Sequence, residues 1–287
     1  MVAKKTKRPQ SLAAGRPPTI QKKRSISRKT TKALINKLHL LEKRKQQAIS
    51  KGDKAAETAI DVEIQELGGL EKYQEASLQG QRHDRGGDSS RVLMDWLEPY
   101  LSASKASRDG PLRMLEIGAL STENACSKSG YFDINRIDLN SQGEGISQQD
   151  FMERPLPRDD SERFDILSLS LVLNFVPDHK GRGDMLLRTT KFLYRPQRYV
   201  GDASPSFPSL FLVLPAPCVT NSRYLDEDKL TAIMASMGYI KTHYKLTQRL
   251  VYYLWRREAD VAKRGKPFTK EELRAGASRN NFAITLG

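Results

Sequence analysis

The feature that most constrains the fold is an apolar run that ends on an acid and a glycine, with a second acid about twenty residues later. Residues 112–117 read L-R-M-L-E-I, Gly118 follows directly, and the next apolar run, I-N-R-I-D, ends at Asp138. A strand, a glycine turn, a helix and a strand ending on an acid form the nucleotide-binding half of a Rossmann-like sheet. The pattern therefore predicts a site for an adenosine-containing ligand.

From residue 112 onward, short apolar runs alternate with helical patterns, which favours an α/β fold with a mostly parallel sheet covered on both faces. The last two strands are too close in sequence for an intervening helix, so they form an antiparallel hairpin. This ending is typical of a Rossmann-like class I methyltransferase with a seven-stranded sheet. We predict strands at 112–117, 133–138, 145–149, 164–170, 209–214, 239–247 and 249–256, with helices near 92–101, 121–128, 181–194 and 225–237.

Basic residues are concentrated at the beginning of the chain. Residues 1–50 contain 15 Lys and Arg and one acid, whereas the remaining residues contain 33 basic and 33 acidic residues. Such an arm suits phosphate contacts, because neutralising phosphates releases counterions. It also fits a nuclear or nucleolar address signal, and a merely solubilising tail is the alternative.

The composition divides the chain into four predicted regions. Residues 1–28 are predicted to be a disordered basic arm because they lack a sustained apolar period. Residues 29–79 form a helical region, in which a helix ends near Gly52, Asp53 caps a second helix, and 70–78 adds a short third helix. We place the main domain at 80–257, although the polar run at 80–90 also fits a simple linker. Residues 258–287 are expected to be a loosely attached basic tail.

Cysteine, histidine and hydropathy patterns narrow the class of protein. Cys126 and Cys218 are too few for a disulfide framework, so we expect two reduced thiols. The four histidines are scattered without metal-ligand spacing, so no metal site is expected. No apolar run approaches the roughly 20 residues needed to cross a membrane.

Four acidic or glycine positions at strand ends are candidate cofactor residues. The turn after Gly118 reads G-A-L-S-T-E-N and lacks further glycines, which disfavours a dinucleotide and suits S-adenosyl-L-methionine. Glu116 can lie near the ammonium group of that cofactor, and Asp138 can accept hydrogen bonds from the ribose hydroxyls. Asp150 can accept from the adenine amino group. Asp138 also fits a simple turn cap, Asp150 also fits an ordinary acid at a strand end, and the E-x-G pattern of Glu116 is common in ordinary strands.

Two further segments carry candidate site residues. Phe151 is expected to pack on the adenine ring, and a small polar residue of the fourth strand, Ser168 or Ser170, to face the cofactor. The loop L-N-F-V-P lies where adenine- and amino-methyltransferases carry an Asn/Asp-Pro-Pro-aromatic motif. The match is partial, because Asn174 and Phe175 are adjacent and a single proline, Pro177, comes later. Phe175 can stack on an extruded base and Asn174 can hydrogen-bond its edge, which makes them the catalytic candidates. A core phenylalanine at a strand exit is the alternative.

Several blocks of the chain resemble the fungal 25S rRNA adenine-N1 methyltransferase family. They are G-L-E-K-Y-Q-E-A-S-L-Q-G-Q, R-G-G-D-S-S, L-E-I-G-A-L, I-D-L-N-S-Q, Q-Q-D-F-M-E-R-P-L-P, S-L-S-L-V-L-N-F-V-P-D and F-L-V-L-P-A-P-C-V, spread over roughly residues 30–255. The resemblance implies a nucleolar enzyme that uses S-adenosyl-L-methionine to methylate one adenine of large-subunit rRNA, free or in a pre-ribosomal particle. It also places Arg85 near the methionine carboxylate.

Two other functions remain open from the sequence. A related animal branch shares R-G-G-D-S-S and looks like a cofactor sensor, so a binding protein that acts through a protein partner is the second hypothesis. The basic arm disfavours this sensor hypothesis, because a sensor needs no phosphate-binding segment. A dehydrogenase is a distant third, because the glycine turn holds a single glycine.

Overall fold

The computed structural model describes residues 28–68, 88–107, 110–141, 143–196, 207–261 and 267–287. Within them the helices are α1 (Arg28–Lys51), α2 (Lys54–Glu66), α3 (Ser90–Ser107), α4 (Ala125–Lys128), α5 (His179–Phe192), α6 (Pro217–Thr220) and α7 (Glu227–Ser236). The strands are β1 (Leu112–Ile117), β2 (Phe132–Asp138), β3 (Ser147–Gln148), β4 (Ile166–Ser170), β5 (Ser209–Pro215), β6 (Tyr239–Leu246) and β7 (Leu250–Arg257).

The strands form one seven-stranded sheet in the order β3-β2-β1-β4-β5-β7-β6. The first five strands of this order are parallel, whereas β7 is antiparallel to both β5 and β6. This arrangement confirms the expected Rossmann-like, class I methyltransferase sheet with its terminal hairpin. The strand order reverses between β1 and β4, and ligands of such sheets bind at this reversal, beyond the carboxyl ends of the strands.

Alternate strand residues pack into two separate cores, one on each face of the sheet. On one face, Met114, Ile166 and Phe211 pack with Leu93 and Leu97 of α3. The other face packs against α5, α7 and the end of the chain, through residues that include Leu115, Leu167, Leu212, Leu186, Ile233 and Ile284. The sheet is therefore covered on both sides, as the continuous apolar runs of its central strands require.

The helical hairpin that precedes the sheet begins and ends close to the predicted positions. The side chain of Asp53 caps α2 by accepting a hydrogen bond from the backbone N–H of Ala56 at 3.0 Å. Buried Leu41, Ala48 and Ile60 form the small core between α1 and α2. The short helix predicted at 70–78 lies outside the described residues.

The last part of the chain is not loosely attached, contrary to the expectation for 258–287. Within 267–287, Phe282, Ala283 and Ile284 are buried, and Ile284 is completely inaccessible to solvent. The expectation was wrong because it weighed the polar composition of the segment, whereas three adjacent apolar residues decide its docking.

No helix among the described ranges is both long and apolar enough to span a bilayer. The described part of the chain also contains no cluster of three His, Cys, Asp or Glu side chains suited to a metal ion. Cys126 and Cys218 are both buried and unpaired with each other. Burial raises the pKa of each thiol to about 12, so neither is a reactive thiolate at neutral pH.

Candidate active site

A polar cleft lies at the carboxyl edge of the sheet, where β1 and β4 meet. Glu116 and Ile117 are the last two residues of β1 and Gly118 follows them, whereas Ser170 is the last residue of β4. The other lining residues come from the segment before α3 and the turn before α4. The lining residues are Asp88, Ser89, Glu116, Ile117, Gly118, Leu120, Ser121, Asn124 and Ser170. The cleft is thus at the strand-order reversal, as expected for a ligand site of this fold.

Gly118 is required both by its backbone conformation and by its surroundings. Its φ angle is +74°, in the left-handed region that favours glycine. A Cβ at this position would also lie 2.4 Å from Cγ2 of Val172, which follows β4. The glycine therefore lets the turn after β1 lie directly against the segment after β4.

Glu116 lies beneath the cleft and is held by neighbours on two sides. Nδ2 of Asn124 donates to Oε1 at 2.9 Å and to Oε2 at 3.1 Å, and Nε of Arg136 lies 3.8 Å from Oε2. Burial raises the pKa of Glu116 to about 7, although the Asn124 hydrogen bond and the Arg136 charge oppose the rise. The site thus contains a carboxyl group that titrates near neutral pH.

Asp138 and Asp150 lie at the same edge of the sheet. Asp138 is the last residue of β2, and Asp150 follows the end of β3. Oδ1 of Asp138 accepts from the backbone N–H of Asn140 at 2.8 Å. Oδ1 of Asp150 accepts from the backbone N–H of Met152 at 2.7 Å. The turn-cap interpretation is therefore satisfied at each acid.

Leu139 is a site candidate that the sequence reasoning missed. It follows Asp138 directly, and 61% of its surface is exposed even though leucine is usually buried. An exposed leucine directly after the acid that ends β2 offers an apolar surface for a purine ring. Its only signal in the sequence is its position after the acid that ends β2.

Asp88 and Ser89 also belong to the cleft and were not predicted as site residues. Oδ1 of Asp88 accepts from the backbone N–H and the hydroxyl of Ser90, and Oδ2 accepts from the backbone N–H of Ala125 at 2.6 Å. One carboxylate therefore joins the beginnings of α3 and α4. The concentration of polar residues and glycines at 80–90 was the available signal.

The structure distinguishes between the two serine candidates of β4. Ser170 lines the cleft, and its Oγ lies 2.8 Å from Oγ of Ser89. Ser168 lies deeper, is 4% exposed, and is in register with Glu116 on β1 and Phe211 on β5. Ser170 is therefore the serine with access to a ligand.

The ring of Phe151 does not face the ligand edge, which corrects the expected stacking on adenine. Phe151 is 2% exposed, and its ring centroid lies 5.1 Å from that of Phe192. The guanidinium of Arg188 lies 5.8 Å from the same ring. Phe151 is therefore a core residue, because its ring packs with Phe192 in the main core.

Asn174 and Phe175 follow β4 in a turn of unusual backbone. Leu171, at the start of this turn, has a φ angle of +59°, which is costly for a branched side chain and is often found at functional sites. Oδ1 of Asn174 is buried and accepts no hydrogen bond from any described residue. Buried acceptors are usually satisfied, so this oxygen is suited to a donor from a ligand. Phe175 is half-buried.

Arg85 lies outside the described residues, so its expected approach to the methionine carboxylate stays a prediction. Apart from the buried residues Ser168 and Phe151, the other candidates divide into three groups by position. The cleft contains Glu116, Gly118 and Ser170; the neighbouring strand ends contain Asp138 and Asp150; and the turn after β4 contains Asn174 and Phe175.

Comparison with known proteins gives a family match over most of the chain. Residues 58–284 match the family described as Bmt2, 25S rRNA (adenine(2142)-N(1))-methyltransferase. The 25S rRNA (adenine(2142)-N(1))-methyltransferase of Saccharomyces cerevisiae is 42% identical over 226 residues, which are 78% of this chain and 62% of the yeast protein. The 25S rRNA adenine-N(1) methyltransferase of Schizosaccharomyces pombe is 39% identical over 253 residues, covering 88% of this chain and 89% of that protein.

Solved structures give more distant likenesses. The 16S rRNA methylase RmtB has a TM-score of 0.39 and 15% identity, over 81% of this chain and 84% of RmtB. The N-methyltransferase NodS of Bradyrhizobium japonicum, in complex with S-adenosyl-L-homocysteine, has a TM-score of 0.35 and 13% identity, over 57% of this chain and 87% of NodS.

Proposed function

Because this chain belongs to the family of 25S rRNA (adenine(2142)-N(1))-methyltransferases, we propose that it transfers a methyl group from S-adenosyl-L-methionine to N1 of one adenine in large-subunit rRNA. The family match over residues 58–284 is the observation that carries the proposal. The target is the adenine equivalent to position 2142 of the rRNA named for the Saccharomyces cerevisiae relative.

The residues at the carboxyl edge suit each part of the cofactor. The backbone at Gly118 can approach the ligand closely, and Glu116 provides a carboxylate for the ammonium group. Asp138 accepts from the ribose hydroxyls and Asp150 from the adenine amino group, with Leu139 against the ring. Ser170 and Ser89 present hydroxyls in the same cleft. Arg85 is proposed to reach the methionine carboxylate.

The turn after β4 is proposed to hold the acceptor adenine. Oδ1 of Asn174 accepts from the exocyclic amino group of the base, which satisfies an acceptor that is otherwise buried without a partner among the described residues. Phe175 stacks against the ring of an unpaired adenine. Since β4 lies next to β1, this turn and the cleft are neighbours at one edge of the sheet.

The chemistry requires positioning more than proton transfer. When bound, S-adenosyl-L-methionine supplies an electrophilic methyl group on a positively charged sulfur. Adenine N1 has an in-plane lone pair and carries no proton at neutral pH, so the chain needs no general base. Asn174 and Phe175 align and desolvate the base. The oxygen of Asn174 also favours the positive charge that develops on the methylated ring.

The basic beginning of the chain fits the proposed substrate. Residues 1–28 contain nine Lys and Arg and no acid, so they can neutralise rRNA phosphates outside the catalytic domain.

We place the protein in the nucleolus, where large-subunit rRNA or a pre-ribosomal particle is its partner. The arm at 1–28, the helical region at 29–79 and the catalytic domain at 80–257 remain our proposed division of the chain, and residues 267–287 pack into the core of that domain.

The decisive experiment uses the full chain, labelled S-adenosyl-L-methionine and large-subunit rRNA from cells that lack the modification. We expect 1-methyladenosine in the digested product, at one position. Asn174→Ala should lower kcat at least 100-fold while changing the calorimetric affinity for S-adenosyl-L-homocysteine less than twofold. Asn135→Ala, at an exposed position of β2, is the matched control and should behave as the wild type. Cofactor binding by the wild type without methyl transfer to rRNA would contradict the proposal.

A further inference from the structure

The chain ends in a segment that returns to the carboxyl edge of the sheet, and we call residues 267–287 the C-terminal strap. A bridge between Phe268 and Leu286 folds the strap on itself. Its residues Phe282 and Ile284 belong to the same core as α5 and α7. The strap therefore contributes side chains to the main core.

One end of the strap is fixed to the first turn of α5. The backbone N–H of Thr285 donates to the carbonyl of His179 at 3.0 Å, and Oγ1 of Thr285 lies 2.9 Å from Nδ1 of the same histidine. Arg182 donates to the carbonyl of Ala283 at 2.9 Å, and its guanidinium lies 4.4 Å from the ring of Phe282. Arg182 is itself buried, so these contacts provide partners for part of a charged group inside the protein.

Gly183 provides the space into which the strap fits. A Cβ at this position would lie 1.8 Å from the carbonyl oxygen of Thr285, a distance that no packed structure tolerates. Glycine in the interior of a helix lowers its stability relative to alanine. The close approach of the strap gives a reason for the glycine at this position of α5.

The other end of the strap is fixed to the segment after β5 through one arginine. Nη2 of Arg274 donates to the carbonyls of Val219 at 2.8 Å and Leu225 at 2.7 Å. Its other nitrogens donate to the carbonyls of Thr220 at 3.3 Å and Ser222 at 3.1 Å. One guanidinium thus joins the end of α6 to the segment that leads into α7.

Further contacts fix the same segment. Nδ2 of Asn280 donates to the carbonyl of Pro217 at 2.7 Å, and its backbone N–H donates to the carbonyl of Asn221 at 3.0 Å. Oγ of Ser222 donates to the carbonyl of Phe282 at 2.5 Å. The loop between β5 and α7 is therefore held along most of its length by the strap.

The strap joins the two segments that follow neighbouring strands. The turn containing Asn174 runs from β4 to α5, and Arg182, which bonds the strap, also donates to the carbonyl of Pro177 at 3.4 Å. The segment held by Arg274 follows β5, which is paired with β4. The strap thus fixes the relative position of two adjacent loops at the edge where the acceptor is proposed to bind.

We propose that the C-terminal strap positions the acceptor side of the active site, with Arg274 as its main positioning residue and Gly183 as its docking point. This inference rests on the proposed function, because it concerns the placement of the adenine by Asn174 and Phe175. Neither Arg274 nor Gly183 touches the substrate in this scheme. They act by holding the loops after β4 and β5 in the arrangement that receives the base.

Three variants of the strap test the proposal in full-length protein. Arg274→Ala should lower kcat for rRNA at least 10-fold while the affinity for S-adenosyl-L-homocysteine stays within twofold of wild type. Arg274→Lys, which retains the charge and up to three donors, should recover part of this loss. Arg279→Ala is the matched control, because Nε of Arg279 donates to the carbonyl of Ala275 within the strap, and this variant should have wild-type kcat.

Gly183→Ala tests the docking of the strap from the opposite side of the contact. We expect faster proteolytic cleavage within 267–287 and the same selective fall in kcat as in Arg274→Ala. Wild-type kcat in both variants, with faster cleavage of the strap, would overturn the proposal. A parallel loss of cofactor affinity and kcat that Arg274→Lys does not recover would also overturn it, since that pattern indicates general destabilisation. Failure of the wild type itself to methylate rRNA would instead contradict the proposed function.

Discussion

The side-chain amide of Asn124 bonds both carboxylate oxygens of Glu116, at 2.9 and 3.1 Å, across the floor of the cleft. The same Asn124 caps α4 through Oδ1, which accepts from the backbone N–H of Ser127 at 2.9 Å. One residue therefore begins a short helix and orients the buried carboxylate of β1. The pairing joins the local structure of the turn to the proposed cofactor site.

Glu116→Gln should flatten the pH dependence of stability. Burial raises the pKa of Glu116 from 4.5 to about 7. Between these two pH values, Glu116 is protonated in the folded state and ionised in the unfolded state. The free energy of unfolding of the cofactor-free wild type should therefore fall as pH rises from about 4.5 to 7, by at most about 3 kcal/mol. Urea unfolding at pH 5, 6, 7 and 8 measures this slope, and equal slopes in wild type and variant would contradict it.

Cofactor affinity should depend on pH in the opposite direction. The ammonium group of S-adenosyl-L-homocysteine favours the charged form of Glu116, so wild-type affinity should rise several-fold from pH 6 to pH 8. Calorimetry at both values tests this, with Glu116→Gln as the comparison that lacks the titrating group. A rise of the same size in Glu116→Gln would assign the effect to another group.

Gly118→Ala should destabilise the protein and weaken cofactor binding. The left-handed backbone costs a non-glycine residue roughly 1–2 kcal/mol, and the new Cβ would also meet Val172 at 2.4 Å. Adding Val172→Ala should relieve the steric part and leave the backbone cost. Chemical unfolding of the single and double variants measures both parts. Full stability in Gly118→Ala would show that the turn after β1 can relax.

Asp138→Asn should separate the ligand role of this acid from its structural role. The amide oxygen can still accept from the backbone N–H of Asn140, so the free energy of unfolding should change by about 1 kcal/mol or less. The loss of carboxylate charge should weaken S-adenosyl-L-homocysteine binding at least 10-fold, and Asp138→Ala should abolish it. Unchanged affinity in both variants would show that Asp138 acts only as a turn cap.

Removal of residues 1–28 should weaken rRNA binding without changing cofactor affinity. The deletion removes nine of the 48 basic residues and no acid, so fewer counterions are released on binding. A plot of log affinity against log salt concentration should become shallower. An unchanged slope in filter binding or fluorescence titration would indicate that the arm makes no phosphate contacts and would favour its role as an address signal.

Most helices and strands were predictable because their signals are local, although α6 was not predicted and β3 and α4 are shorter than expected. The predicted strand at 112–117 coincides with β1, and the cap at Asp53 was identified from one polar residue before a helical period. The terminal hairpin followed from the short distance between its two strands. Such features depend on the pattern of neighbouring residues, which the sequence displays directly.

The site was predictable only in part, because several of its residues depend on packing between distant segments. The sequence did not distinguish Ser168 from Ser170, since both are small polar residues at alternate positions of one strand. It also assigned the ring of Phe151 to a ligand, whereas the contact with Phe192 places that ring in the core. No sequence pattern indicates that Asn124 hydrogen-bonds Glu116.

The sequence by itself determined the order of strands and helices and placed Glu116, Gly118 and Asp138 at strand ends, because alternation, turns and caps are local properties. The tertiary structure decided which of these side chains share one cleft and where the end of the chain docks. Arg274 and Gly183 show why: each acts through backbone carbonyls about 50 or 100 residues away, and such contacts form only when the whole sheet is assembled.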